Sequence, residues 1–177
     1  MNKVVKEILS NVIWLAVVFA LTMLIIEFVV QRTVVSGESM MYTLQDEDSL
    51  LVDKISYRFS DPERFDIVIF PYPSDPEECF IKRIIGLPGE TIQIDDDGKI
   101  WIDGEILEEN YGAEVIWDAG LASEPITLGD DEYFVMGDNR NHSMDSRDPS
   151  VGNIKRDDFI GKAFIRIYPF ETFGGLD

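Results

Sequence analysis

Val12 to Ile26 contains no charged residue, and Phe28 to Val30 carries the apolar stretch past Glu27 to 19 positions. As a helix such a stretch is about 28 Å long, close to the thickness of a bilayer's hydrocarbon core. It is read as a transmembrane anchor over residues 12–30, with Glu27 near enough to one end to reach the interface. Lys3 and Lys6 precede the stretch and Arg32 alone follows it closely. That small excess of positive charge places residues 1–11 on the cytoplasmic side and residues 31–177 outside. A cleaved secretory signal is the alternative, but its apolar core usually runs only about 7 to 15 residues, and no Ala-x-Ala follows here.

What lies beyond the anchor has the length of one ordinary domain with its own core. It is strongly acidic. All but two of the 34 acidic residues lie beyond residue 35, together with all but three of the 15 basic ones. A surface of that sign repels phosphate backbones, which argues against a nucleic-acid partner. It also repels anionic headgroups, so attachment to a lipid bilayer has to come from the apolar segment.

Short apolar or alternating runs recur after residue 30: Ser49–Ile55, Asp66–Phe70, Phe80–Ile85, Thr91–Ile94, Lys99–Ile102, Glu132–Met136 and Lys162–Ile167. Asp97-Gly98 and Asp103-Gly104 sit between short runs and suit tight hairpins, while Pro71, Pro73 and Pro76 are expected to break the chain between two of them. No long segment of helical period appears there. The expected fold is mainly β, an antiparallel barrel or sandwich-like domain carried on one N-terminal transmembrane helix.

The single cysteine, Cys79, cannot form an internal disulfide and is expected to be buried in a strand. Asp95-Asp96-Asp97-Gly98 lacks the spacing and distal Glu of a calcium loop and reads as a hairpin turn. Neither this cluster nor Asp46-Glu47-Asp48 nor Asp130-Asp131-Glu132 is taken as a metal site. No cofactor is expected.

Three groups of residues could carry chemistry. Ser39, two positions after Gly37 and followed by Met40-Met41, has the surroundings of a nucleophile: a permissive backbone, a nearby N–H and apolar neighbours. Taken alone, Gly-x-Ser is a weak signal, and an ordinary loop serine is the default reading. In Phe80–Ile85, alternation puts Lys82 on one face with Phe80 and Ile84, and Ile81, Arg83 and Ile85 on the other. If the Lys82 face is buried, desolvation lowers its pKa and leaves an amine able to act as a general base. If the strand is at an edge, Lys82 simply reaches out to solvent. The third group, Gly137 to Arg147, packs Asp138, Arg140, His142, Ser143, Asp145 and Arg147 into eleven positions. There the two acids and two arginines can pair within the segment, and Ser143 can exchange a hydrogen bond with a lysine amine.

Ser39-Met40 with Thr43-Leu44, Arg64 to Phe70, Ile81 to Glu90, and Gly137 to Arg147 resemble, in order, the sequence boxes of bacterial type I signal peptidases, in their short, Gram-positive-like form. The resemblance runs from the anchor to the C-terminus. It implies a membrane-bound serine endopeptidase that removes signal peptides from exported preproteins, cutting after small residues at the −1 and −3 positions. It implies Ser39 as nucleophile, Lys82 as general base, and Ser143 as the hydroxyl that orients the lysine. Asp145, Arg147, Asp138 and Arg140 are then supports of the site, and the Ser39 backbone N–H holds the oxyanion. The implied location is the cell membrane, single-pass, with the signal peptide, the bilayer and the secretion translocon as partners.

Three positions depart from the family pattern. Tyr42 stands where proline is usual, which predicts a less rigid turn after the nucleophile. Gly37 stands where some members supply a serine hydroxyl to the oxyanion. His142 stands where asparagine is frequent, and as the one histidine it is the rival base. Two other readings stay open: a Ser-Lys peptidase with a narrower task, and a catalytically silent domain that binds exported peptides.

Overall fold

The computed structural model describes residues 3–112 and 114–176, apart from the Glu27 side chain, whose expected place at the interface therefore lies outside the described residues. Among the described residues one α-helix, α1 (Lys3–Phe28), is followed by twelve strands. Every described side chain of α1 is exposed, so its apolar surface packs on no other described element, and the helix is long and apolar enough to cross a membrane. Thr22, the polar exception, donates its hydroxyl to the Val18 carbonyl one turn back at 3.0 Å. The helix starts nearer the N-terminus than the expected anchor and ends at Phe28, so Val29 and Val30 leave it. Val30 already begins β1 (Val30–Val34), where β-branched residues favour the extended chain.

The larger sheet has eight strands. Its path is β1, β2 (Ser49–Asp53), β11 (Gly161–Tyr168), β3 (Ile67–Tyr72), β4 (Asp75–Gly86), β9 (Glu132–Met136) and β10 (Ile154–Lys155), with β12 (Gly174–Gly175) added to β11. The smaller has four, in the order β7 (Glu105–Ile106), β6 (Ile100–Ile102), β5 (Thr91–Ile94) and β8 (Ile126–Thr127). All pairings are antiparallel. The path of the large sheet is open, so the fold is sandwich-like rather than a closed barrel.

Each of the seven expected runs becomes a strand, and both Asp-Gly pairs form the expected turns of the small sheet. Asp103 and Gly104 have φ of 51° and 82°, the left-handed pair that a two-residue hairpin with matching twist needs. Asp95 accepts the N–H groups of Asp97 and Lys99 and the Trp101 indole N–H, so this acid ties a turn together. Of the three prolines, Pro73 lies in the turn between the two strands, but Pro71 and Pro76 do not break the chain as expected. Pro71 lies inside β3 opposite Cys79, and β3 and β4 form one continuous hairpin. Cys79 is exposed rather than buried, because this outer part of β4 extends past the core.

Three clusters make up the interior. Ile85, Ile92, Ile100, Phe134 and Met136 join the two sheets; Val68, Phe70, Ile84 and Val135 fill the far side of the large sheet. Met40, Leu44, Leu50 and Ile67 form a third, directly beneath the segment that carries Ser39.

Candidate active site

The loop after β1 turns sharply at Ser39. Met41 N–H donates to the Glu38 carbonyl at 3.0 Å, and the N–H groups of Thr43 and Leu44 donate to Met40 at 3.1 and 2.8 Å. Met40 and Leu44 are fully buried, so the turn is pinned from below by apolar packing and Ser39 is left facing a groove. The turn is thus well held despite Tyr42. That residue has φ of 82°, a value closed to proline, whose ring fixes φ near −65°.

The groove has a volume of about 520 Å³. One wall is Thr33–Met40, the other Glu77–Lys82, and His142 and Met144 close the end. Beyond its pairing with β3, β4 is bonded to β9 only from Arg83 onward. Its groove-side edge from Asp75 to Lys82 therefore has free backbone groups among the described residues.

Lys82 is 3% exposed, and its Nζ donates to Ser39 Oγ at 2.7 Å. The lysine face is therefore buried, as is the Arg83 face at this point of the strand, and Phe80 lies alongside with the amine 4.9 Å from its ring centre. Burial lowers the Lys82 pKa to about 8; the carboxylates of Asp145, Asp138 and Glu78 act the other way without cancelling it. The Ser39 N–H donates to no group among the described residues, which leaves it available to an oxyanion.

The polar segment after β9 builds the floor. Asn139 N–H holds the Ser39 carbonyl at 3.0 Å, and Asn139 Nδ2 holds that of Glu38 at the same distance. Gly137 packs so closely that a Cβ there would lie 2.3 Å from Ser143 Oγ and 2.4 Å from the Ser39 carbonyl oxygen. Asp145 accepts Arg147 Nε and Nη2 at 2.8 and 2.9 Å, as expected, and also takes the Gly137 N–H at 3.0 Å. The other two charges do not pair within the segment. Asp138 is fully buried against Arg83, with contacts of 2.9 and 2.7 Å, and receives the Thr43 hydroxyl. Arg140 pairs with Glu109. Ser143 Oγ is buried beside Gly137 but makes no hydrogen bond to Lys82 or to any other described residue. His142 lines the groove, exposed, and no bond joins its ring to Ser39.

A family model described as signal peptidase, peptidase S26, matches residues 7–168. The chain belongs to the signal peptidase family. It is 40% identical to a probable signal peptidase I-2 of Synechocystis sp., over 84% of this chain and 68% of that protein. It is 40% identical to a signal peptidase I of Leptolyngbya laminosa, over 93% of this chain and 80% of that one. The crystal structure of a signal peptidase I from Enterococcus faecalis V583 is 33% identical, with a TM-score of 0.47, covering 58% of this chain and 97% of that one. With its apolar N-terminal helix, this member of the signal peptidase family is a membrane-anchored serine endopeptidase that acts on the signal peptides of preproteins.

Sequence reasoning assigned no role to four residues whose contacts help build the candidate site: Thr43, Arg83, Glu109 and Asn139. Arg83 had a signal, since a buried strand that carries Lys82 on one face and Arg83 on the other has to satisfy two cations. Glu109 had none, because its partner Arg140 lies 31 positions away in the segment after β9.

Proposed function

We propose that Ser39 and Lys82 are the catalytic pair of this signal peptidase, and that it cuts after small residues at the −1 and −3 positions of the signal peptide. The observation that carries the reading is the 2.7 Å contact between a buried amine and a groove-facing hydroxyl. An extended substrate adds to the free edge of β4 and lies in the groove against Thr33–Met40. Neutral Lys82 takes the Ser39 proton as Oγ bonds to the scissile carbonyl carbon, and the Ser39 N–H stabilises the oxyanion. As the carbon–nitrogen bond breaks, Lys82 passes the proton to the leaving amine. Water then attacks the acyl ester with Lys82 as base, and the released Ser39 oxygen recovers a proton from the same amine. Ser143, whose buried hydroxyl has no other partner among the described residues, accepts from Lys82 while the lysine is charged. Asp138, Arg140, Asp145 and Arg147 hold the floor in place.

The helix crosses the cell membrane with residues 1–11 inside and residues 31–177 outside. Ser39 then sits just beyond the bilayer, where the cleavage site of an embedded signal peptide emerges, beside the translocon. The test is cleavage of a preprotein by the full chain in liposomes. Ser39→Ala and Lys82→Ala each abolish it while circular dichroism shows a folded domain. Full activity in either variant would sink the assignment, and a loss in His142→Ala equal to that in Lys82→Ala would move the base to His142.

A further inference from the structure

Behind the floor of the groove runs a short strap, Leu107 to Gly112, which leaves β7 of the small sheet and crosses toward the large one. Its Glu109 carboxylate grips Arg140 with both oxygens, at 2.7 and 3.1 Å, and the two side chains are only 11% and 2% exposed. The same carboxylate takes the Tyr111 N–H at 2.8 Å, which fixes the strap's own turn. Tyr111 then lays its ring 3.6 Å from the Arg83 guanidinium carbon, with Phe65 against the ring at 5.0 Å. Gly112 passes so near Arg140 that a Cβ would lie 3.0 Å from its side chain. One strap therefore holds two arginines.

Each of these arginines is one step from the catalytic pair. Arg83 follows Lys82 on β4 and anchors Asp138. Arg140 Nε donates to the Gly137 carbonyl at 3.1 Å, and Gly137 is the residue packed against the Ser39 carbonyl and Ser143. Neither Glu109 nor Tyr111 lines the groove, so neither touches a substrate lying there.

We propose that Glu109 and Tyr111 are positioning residues, which hold Ser39 and Lys82 in register through Arg140 and Arg83. The proposal rests on the Ser39–Lys82 reading above. A buried arginine that loses its carboxylate is left as an uncompensated charge and draws its loop toward water. A buried arginine that loses an aromatic face loses a cation–π contact that an aliphatic side chain of similar size cannot replace. Either change shifts the floor under Ser39, and a shift of about 1 Å costs on the order of 100-fold in turnover.

Steady-state cleavage of a preprotein by the full chain in detergent tests this, with Glu109→Gln, Tyr111→Leu, Tyr111→Phe and Ser39→Ala side by side and the folded fraction followed by circular dichroism at the assay temperature. The expected result is a fall in kcat of roughly tenfold to 100-fold for Glu109→Gln and Tyr111→Leu. KM should stay within about twofold and the folded fraction unchanged, while Tyr111→Phe keeps its kcat because the ring is retained. An unchanged kcat in Glu109→Gln and Tyr111→Leu beside an inactive Ser39→Ala overturns the positioning role and leaves the catalytic pair standing. So does a loss confined to KM, or one no larger than the loss of folded protein. An active Ser39→Ala instead overturns the catalytic pair, and the positioning role with it.

Discussion

Lys82 Nζ and Ser39 Oγ lie 2.7 Å apart although 43 residues separate them in the chain. The contact is made because two independent constraints meet: strand β4 must bury the Lys82 face, and the turn at Ser39 must sink Met40 and Leu44 into the core beneath it. Nothing local brings either residue to the other.

Activity should rise with pH through about 8, the Lys82 pKa. Below that value the amine is charged and cannot accept the Ser39 proton, so only a minority of molecules is competent at pH 7. Glu78 raises this pKa, so Glu78→Gln should move the acid limb of kcat to lower pH. A limb that moves upward contradicts the electrostatics.

The same shift links to stability. The unfolded lysine holds its proton up to about 10.5 and the folded one only to about 8, so the folded state carries a cost below pH 8 that is relieved as pH rises toward 10.5. The magnitude is on the order of 3 kcal/mol. Urea titrations in detergent should show the native chain gaining stability over that window relative to Lys82→Met, and parallel curves would contradict the shift.

Gly137→Ala should be inactive or unfolded, because the new methyl meets the Ser39 backbone carbonyl at 2.4 Å and backbone cannot step aside cheaply. Gly37→Ala has open space but a φ of 92°. It should lose about 1 kcal/mol of stability and keep most of its kcat. Equal effects in a paired kinetic and unfolding measurement would show that contact with Ser39 is not what makes Gly137 special.

Tyr42→Pro should lower kcat by roughly tenfold or more, since the turn would have to abandon the φ of 82° that lets Met40 and Leu44 reach the core. Tyr42→Gly should keep its activity and gain a few tenths of a kcal/mol. The reverse order in a kinetic comparison would mean that the proline-free turn is not a requirement of this chain.

Cys79 is exposed on the groove wall. A bulky maleimide on it should block preprotein cleavage, and Cys79→Ser should be active and insensitive to the reagent. Undiminished cleavage by fully labelled protein would place the substrate elsewhere.

Much of this was legible before any fold was known. The strands followed from alternation, and Lys82 was placed with Phe80 and Ile84 by period alone. The segment Gly137 to Arg147 announced a polar network by its density of donors and acceptors, and the Asp145–Arg147 pair within it formed as read. Its other pairings were not legible, because Asp138 finds Arg83 across 55 positions and Arg140 finds Glu109 across 31. A charge in a sequence demands a partner without naming it, and Cys79 shows the same limit for burial, since an apolar flank does not say where a strand outruns its core.

By itself the sequence determined an apolar helix long enough to cross a membrane, a β domain behind it, and the presence of one serine and one lysine suited to each other's chemistry. The helix and the strands follow from composition and period, which are local properties, whereas the roles of Ser39 and Lys82 came from the resemblance of the four sequence boxes. The tertiary structure alone decided that Lys82 is dry, that Ser39 faces it, and that Glu109 and Tyr111 stand behind the floor. Desolvation and ion pairing depend on what surrounds a group in space, and in this chain those surroundings come from residues far apart along it.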